Sequence, residues 1–454
     1  MAGGFFFLPC IAARPAIRHF VFPLLRTLSG YGMNSSPANP FPEMALVEQA
    51  LHAVGLEDIE NRVNTLLNNL PGDRRGRPGE SVAVAVGSRH IDRIDKVLRA
   101  TLRFLEQCGL KPFIVPAMGS HGGATADGQR AVLAGYGITE KTMGVPVLPE
   151  MDTVEVCRLP DGFPLYISAT ALLADHIVLI NRIKPHTKFK APVESGLCKM
   201  LTVGLGKHVG AAAYHRYAAR NGFGVIETAA RILAGKIDLL FGIGLIEDGD
   251  GRLAMIEPVL PEQLIDREKA LLKIASDMLG RIFFNEIDVL IVDFIGKDIS
   301  GIGMDSNVTG RHRDLVGDFL LPPRPRRIFV RDLSPGSDGN GNGIGLADIT
   351  TRRLVRRLDM EKTFVNAVTA ISPEKAAIPI HFDTDRKCLE VAIDTSGVAS
   401  ADTARIVRIR HTGALRFIQV SKALENDLEK EPRLKRIGPW GSMPFDDAGN
   451  LLDF

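Results

Sequence analysis

Short apolar runs suited to strands alternate with segments of helical period, and this alternation narrows the folds open to the chain more than any other feature. SVAVAV (81–86) is followed by Ile94, Val97, Leu98, Leu102 and Leu105 at helical spacing until Gly109, and then by PFIVPA (112–117). Thr125 is placed to cap a further helix through Leu133, with Asp127 near its positive end. HIVLIN (176–181) and DLLFGIGLI (238–246) read as strands, and a helix through Val225, Ile226, Ala229 and Leu233 precedes the second. Strands joined by helical crossovers give mainly parallel sheets covered by helices.

A second series begins after an amphipathic helix from Leu264 to Met278. Strands are expected at DVLIVDFI (288–295), RIFVRD (327–332) and CLEVAID (388–394), with a Gly- and Asn-rich loop at 334–345 and a charged helical tail from Ser421. The 454 residues exceed one ordinary domain of ~100 to 200 residues. The expected fold class is therefore α/β: two α/β domains, 43–282 and 283–454, with mainly parallel sheets and an active-site cleft between them. Residues 1–42 contain no acid, carry Arg14, Arg18 and Arg26, are rich in Pro and include a second Met at 33. They read as an extension, or the product of an upstream start, outside the fold.

Fifty-five Lys and Arg against 53 Asp and Glu leave a formal net charge of +2, too balanced for the broad basic footprint of nucleic-acid binding. Small molecules are the expected partners. The five cysteines are scattered without a CxxC pair, which fits a reducing, cytoplasmic location rather than a disulfide framework. No apolar run reaches the ~18 residues of a membrane span, so no membrane partner is expected. A homo-oligomer is left open.

Three polar residues fall beyond the carboxyl ends of expected parallel strands: Arg89 after 81–86, His121 in MGSHGGAT after 112–117, and His186 in RIKPHTKF after 176–181. Ligands of open parallel sheets bind on that side, where separate loops converge. One loop histidine alone is more often solvated than functional; three on one sheet edge favour a site. Downstream, ESGLCKMLTVGLGKHVGAAAYHRY (194–217) sets Lys199, Lys207, His208 and His215 among glycines that let backbone N–H groups approach an anion. It contains neither a P-loop nor HExxH. Arg182, Lys184, Lys188 and Lys190 form either a solvated basic face or an attractor of anionic ligands. Cys198 reads as a small buried side chain, with a thiol nucleophile as the alternative. Lys297, Asp305 and Asn307 lie in the loop after 288–295 and could face the cleft.

Together, SRH, MGSHGGAT, KPHTKFKAPVESGLCKM and Tyr214-His215 resemble the nickel-dependent lactate racemase family, particularly its functionally unassigned relatives. The resemblance runs from about residue 60 and is strongest between Val82 and His215. It implies a two-domain α/β isomerase that binds a nickel-pincer mononucleotide and inverts a 2-hydroxy acid, lactate or a larger acid, by hydride transfer, with 43–282 as the catalytic domain. It also implies that Lys199 holds the cofactor, with Ser195 and Gly196 beside it, that His215 ligates nickel, and that His121 and His186 are the acid/base pair. Arg89 would fork the carboxylate of a small anionic 2-hydroxy acid. Lys297 is an expected substrate contact from its loop position alone, where a plain Gly-rich turn is equally consistent. Imidazole, titrating near pH ~6.5, suits proton exchange with either enantiomer. A non-catalytic binding protein for a small anion, or a metal-assisted lyase using Cys198 and the histidines, remains as an alternative.

Overall fold

The computed structural model describes residues 41–87, 91–315 and 317–454. Arg89 and most of the expected N-terminal extension lie outside these residues. The strands are β1 Met44–Gln49, β2 Ser81–Val86, β3 Lys111–Pro116, β4 Thr153–Arg158, β5 Pro164–Ser168, β6 His176–Arg182, β7 Leu239–Glu247 and β8 Leu253–Val259, followed by β9 Glu286–Ile295, β10 Arg311–His312, β11 Phe319–Leu320, β12 Arg324–Leu333, β13 Ile349–Thr351, β14 Ile380–Phe382, β15 Ile406–Ile409, β16 Phe417–Ser421 and β17 Leu434–Arg436.

The first lobe is a five-stranded sheet in the order β3-β2-β6-β7-β8, parallel except for the antiparallel β7–β8 pair. Its central strands are buried on both faces, and alternation divides their side chains between two cores. Ala83, Ala85, Ile177 and Leu179 join one, while Val82, Val84, Val86, Val178 and Ile180 join the other. The helix Ile94–Gln107 buries Ile94, Val97, Leu98, Leu102 and Leu105 against the second of these. Thr125 caps Ala126–Gly135 by accepting the Gly128 N–H at 3.1 Å.

The second lobe is an eight-stranded sheet in the order β14-β13-β12-β9-β15-β16-β1-β17. Its β14 to β15 half is parallel and its β15 to β17 half antiparallel. The fold is thus α/β with mainly parallel sheets. β1, from the start of the described chain, pairs with β16 and β17 rather than with the sheet that follows it in sequence.

Two expectations are corrected. CLEVAID is not a strand: it lies in the helix Asp385–Ser396, capped by Thr384. Cys388, Leu389, Ala392 and Ile393 are buried at i, i+1, i+4 and i+5, a helical stripe, and they pack on the face of the sheet carrying Val289, Ile291 and Phe329. The charged tail is not one helix either. Ser421 ends β16, the helix is only Glu425–Lys430, and β17 then returns to the sheet. Among the described residues no helix is long and apolar enough to cross a membrane.

Candidate functional site

The parallel order β3-β2-β6 places the loops after these strands side by side at one sheet edge. In the loop after β3, His121 is half-buried and its backbone is held at both ends. Its N–H donates to Met118 O (3.2 Å), and its carbonyl accepts from Gln129 Nε2 (3.4 Å), which also donates to Gly119 O (2.8 Å). Lys207, fully buried, fixes Gln129 through Oε1 (3.1 Å) and reaches Pro116 O (2.8 Å). Burial lowers the Lys207 ammonium to about 8. The two glycines of this turn are required sterically. Gly122 has φ +64°, and a Cβ on Gly128 would sit 1.7 Å from Gly122 O.

The loop after β6 is organised by a carboxylate. Glu194 accepts the N–H groups of His186 (2.5 Å) and Ala191 (3.2 Å) and meets Lys190 Nζ at 3.4 Å, while burial pushes its carboxyl up. Lys184 N–H donates to Ser195 O (2.9 Å) and Asn181 Nδ2 to Gly196 O (2.8 Å), tying the start of the loop to its end. Within this frame His186 Nδ1 accepts the Lys188 N–H at 3.0 Å, and Nε2 lies 2.6 Å from Lys199 Nζ. The imidazole stacks on Phe189 (4.3 Å), Phe189 stacks on Phe223 (4.1 Å), and His215 meets Phe223 edge-on (6.3 Å). Lys199 Nζ stands 5.7 Å from the centre of the Phe189 ring.

His186, Lys199 and His215 are therefore brought to one aromatic wall. Among the described residues His215 Nδ1 is shielded and has no hydrogen-bond partner. Burial, reinforced by the Lys199 and Lys188 charges, lowers the imidazole to about 4, so it is neutral at pH 7 with a lone pair to offer.

Lys199 rises from a helical turn whose N-terminus is capped from below. Glu268, fully buried, accepts the Cys198 N–H at 2.8 Å, and burial raises its carboxyl to about 7. A Cβ on Gly196 would come within 2.6 Å of that carboxylate, so the close approach requires glycine. Burial, and then the Glu268 charge, push the Cys198 thiol well above its ordinary value. That weighs against a thiolate nucleophile.

The basic residues after β6 are neither a solvated face nor free attractors. Arg182 pairs with Glu247, and the lysines reach the second lobe. Lys184 Nζ meets Asp305 Oδ2 at 3.0 Å, and Lys190 Nζ meets Asn307 Oδ1 at 2.5 Å. Ser306 Oγ donates to Thr187 O (2.6 Å), and Asn307 Nδ2 to His186 O (3.4 Å). Burial works to raise the Asp305 carboxyl, but Lys184 and the Asn307 N–H hold it below the usual range. Lys188 Nζ donates to Ser372 Oγ (2.8 Å) and lies 3.3 Å from Asp314, which also binds Lys375 at 2.5 Å. Beside them His312 is buried and stacked on Phe319 (4.8 Å), and neither ring nitrogen has a hydrogen-bond partner among the described residues. Burial, with Lys375 and Lys188 nearby, lowers it to about 4.

Lys297 donates to Gly301 O (2.5 Å) and Asn366 Oδ1 (2.6 Å) within its own lobe, whereas Asp305 and Asn307 from the same loop meet the His186 segment. His208 is exposed. Sequence reasoning missed Phe189, Phe223, Glu194, Glu268, His312, Asp314, Ser372 and Lys375. Phe189 and Glu194 carried a usable signal, standing three and eight positions after His186 in a loop already singled out. The rest lie far along the chain and had none.

No protein-family model matches the chain, and no curated protein matches it. Among solved structures its fold is similar to that of the lactate racemase apoprotein from Thermoanaerobacterium thermosaccharolyticum, at 16% sequence identity and a TM-score of 0.45, over 77% of this chain and 91% of that one.

Proposed function

We propose that the chain is a racemase or epimerase of a 2-hydroxy acid that works with a nickel-pincer nucleotide. The observation that carries this reading is the convergence of three of the residues named by the motif resemblance. Lys199 lies 2.6 Å from His186, and His215 presents a shielded, unpartnered nitrogen on the same aromatic wall. These residues fit the group. A neutral imidazole with a free lone pair suits a tetragonal nickel ion, and a half-buried lysine amine can attach an organic ligand. Among the described residues no cluster of three or more His, Cys, Asp or Glu is placed to hold an ion.

Lys199 and His215 would hold the nucleotide, and the chemistry it would supply there is that of a hydride acceptor. The chain supplies the rest. Arg89 forks the carboxylate through two parallel hydrogen bonds. His186 exchanges the hydroxyl proton through Nε2, since Nδ1 is occupied by the Lys188 N–H, and His121 serves the opposite enantiomer. Phe189 and Phe223 exclude water from one side of the site. The test uses protein matured in a host that makes the cofactor, with a panel of α-deuterated 2-hydroxy acids in ordinary water. Inversion with retention of deuterium supports the reading. Label loss at the rate of inversion would replace it with an enolate route, and a matured chain that binds no nickel and inverts no acid would favour a small-anion binding protein.

A further inference from the structure

His186 belongs to the first lobe, yet part of what holds its ring comes from the second. The imidazole stacks on Phe189, with ring centres 4.3 Å apart and 27° between the planes. A face contact of this kind fixes the plane of a ring far better than its rotation within that plane. Rotation is set by hydrogen bonds at the ring edge, which are directional. At Nε2 the contact is Lys199 Nζ, the end of a flexible stem that follows the ring. At Nδ1 it is a stiff backbone donor, the Lys188 N–H, 3.0 Å away. That N–H and the Thr187 carbonyl are the two ends of one planar peptide unit. The carbonyl end accepts from Ser306 Oγ at 2.6 Å. Ser306 is fully buried and lies in the loop after β9, in the second lobe.

We propose that Ser306 is a positioning residue for His186: through the Thr187–Lys188 peptide, the second lobe aims the imidazole of the first. That His186 is an acid/base group rests on the preceding reading, whereas the aiming of its ring rests on this geometry. Both ends of the relay are stiff. In the second lobe, Ser306 opens a turn capped by Asp305, whose Oδ1 accepts the Asn307 N–H at 2.9 Å. The Asp305 N–H donates to Thr412 Oγ1 at 3.0 Å, which ties this turn to the segment just past β15. In the first lobe, the Ile183 N–H donates to Leu245 O (2.8 Å) and the His186 N–H to Glu194 (2.5 Å), so the segment cannot drift as a whole. Lys188 Nζ donates to Ser372 Oγ (2.8 Å) and Ala370 O. That anchor limits how far the segment moves, but at the end of a flexible stem it does not set the plane of the peptide. Among the described residues Ser306 is the donor to the Thr187 carbonyl. Without its hydroxyl the peptide is free to turn, and the Lys188 N–H leaves Nδ1.

The test follows the ring protons of His186 by NMR in the full chain carrying 13C-labelled histidine, with the signals assigned by their loss in His186→Gln. In Ser306→Ala these signals should shift, because the imidazole turns in the ring current of Phe189. The His176 signals should stay in place: that residue begins the same strand and is held by Glu80 and Asp238 at 2.8 Å each. Lys188→Met removes the other link between this segment and the second lobe but keeps the relay, so it should move His186 less. His186 signals that do not move in Ser306→Ala, that move equally in Lys188→Met, or that move no more than those of His176 overturn the proposal. Should the alanine variant misfold, Ser306→Cys, of similar size but a weak donor, is read by the same criteria. In matured protein turning over a 2-hydroxy acid, Ser306→Ala should lower kcat about 10- to 100-fold with KM within about twofold. A moved ring with an unchanged kcat would remove His186 from the chemistry and leave the positioning in place, so the two readings fail separately.

Discussion

His312→Leu should make the protein less sensitive to acid, by an amount the structure sets. The ring is buried against Phe319, its Nε2 is 3.8 Å from Asp314, and neither nitrogen has a hydrogen-bond partner among the described residues. Its folded value is about 4, against ~6.5 in an unfolded chain. Between those values the unfolded chain binds more protons, so stability is full above pH ~6.5 and is lost as pH falls toward 4. At about 1.4 kcal/mol per pH unit, the loss is about 2 kcal/mol by pH 5 and about 3 kcal/mol in full. Leucine is of similar size, cannot titrate and leaves no orphaned nitrogen, so the variant should lie within about 1 kcal/mol of wild type at pH 7.5. At pH 5.0 it should have gained about 2 kcal/mol on wild type. Urea unfolding followed by circular dichroism at pH 7.5, 6.0 and 5.0 measures this as a difference of differences. Titrating groups that do not face the ring cancel; those that face it are Asp314, Asp318, Lys375 and Lys188. Burial tends to raise Asp314, but Lys375, Ser372 and Lys188 hold it below its ordinary range, outside the window. Parallel stability curves for the two proteins would mean that His312 is not a neutral, unpartnered ring, and the reasoning would fall.

Glu268→Gln should show the opposite sign. The folded carboxyl is raised to about 7, so wild type loses about 3 kcal/mol as pH climbs from ~4.5 through 7 while the glutamine variant does not; a stability difference that is the same at pH 5 and pH 8 in urea unfolding would refute this. Gly196→Ala drives a methyl into the Glu268 carboxylate and should cost about 1 to 3 kcal/mol in thermal unfolding. Gly72→Ala, with open space around it, should be close to neutral, and equal effects at the two sites would remove the steric argument. Lys188→Met leaves Ser372 Oγ without a donor across the lobes and Asp314 with Lys375 as its lysine partner. Amide exchange in 360–375 should speed up with a loss of about 2 kcal/mol; unchanged protection there would show that the contact does not hold the lobes together.

The sequence by itself determined the layered α/β architecture, because the relevant information is local. In SVAVAV the period of two assigns Val82, Val84 and Val86 to one core and Ala83 and Ala85 to the other, and Thr125 caps its helix through a neighbour three residues away. Even the misreading of CLEVAID was local: weighting Val and Ile for strand overlooked the i, i+4 spacing of Cys388 with Ala392 and Leu389 with Ile393. The motif pattern also picked out Lys199, His186 and His215. Only the tertiary structure decided what surrounds them. Sheet order and loop closure set Lys199 against His186 and bring Phe223 onto Phe189. The same closure turns lysines whose sequence left them either a solvated face or an attractor of anions into bridges to Asp305, Asn307 and Asp314, more than a hundred residues away. Such pairings have no period and no fixed spacing, since they arise where two separately folded sheets present their edges to one another.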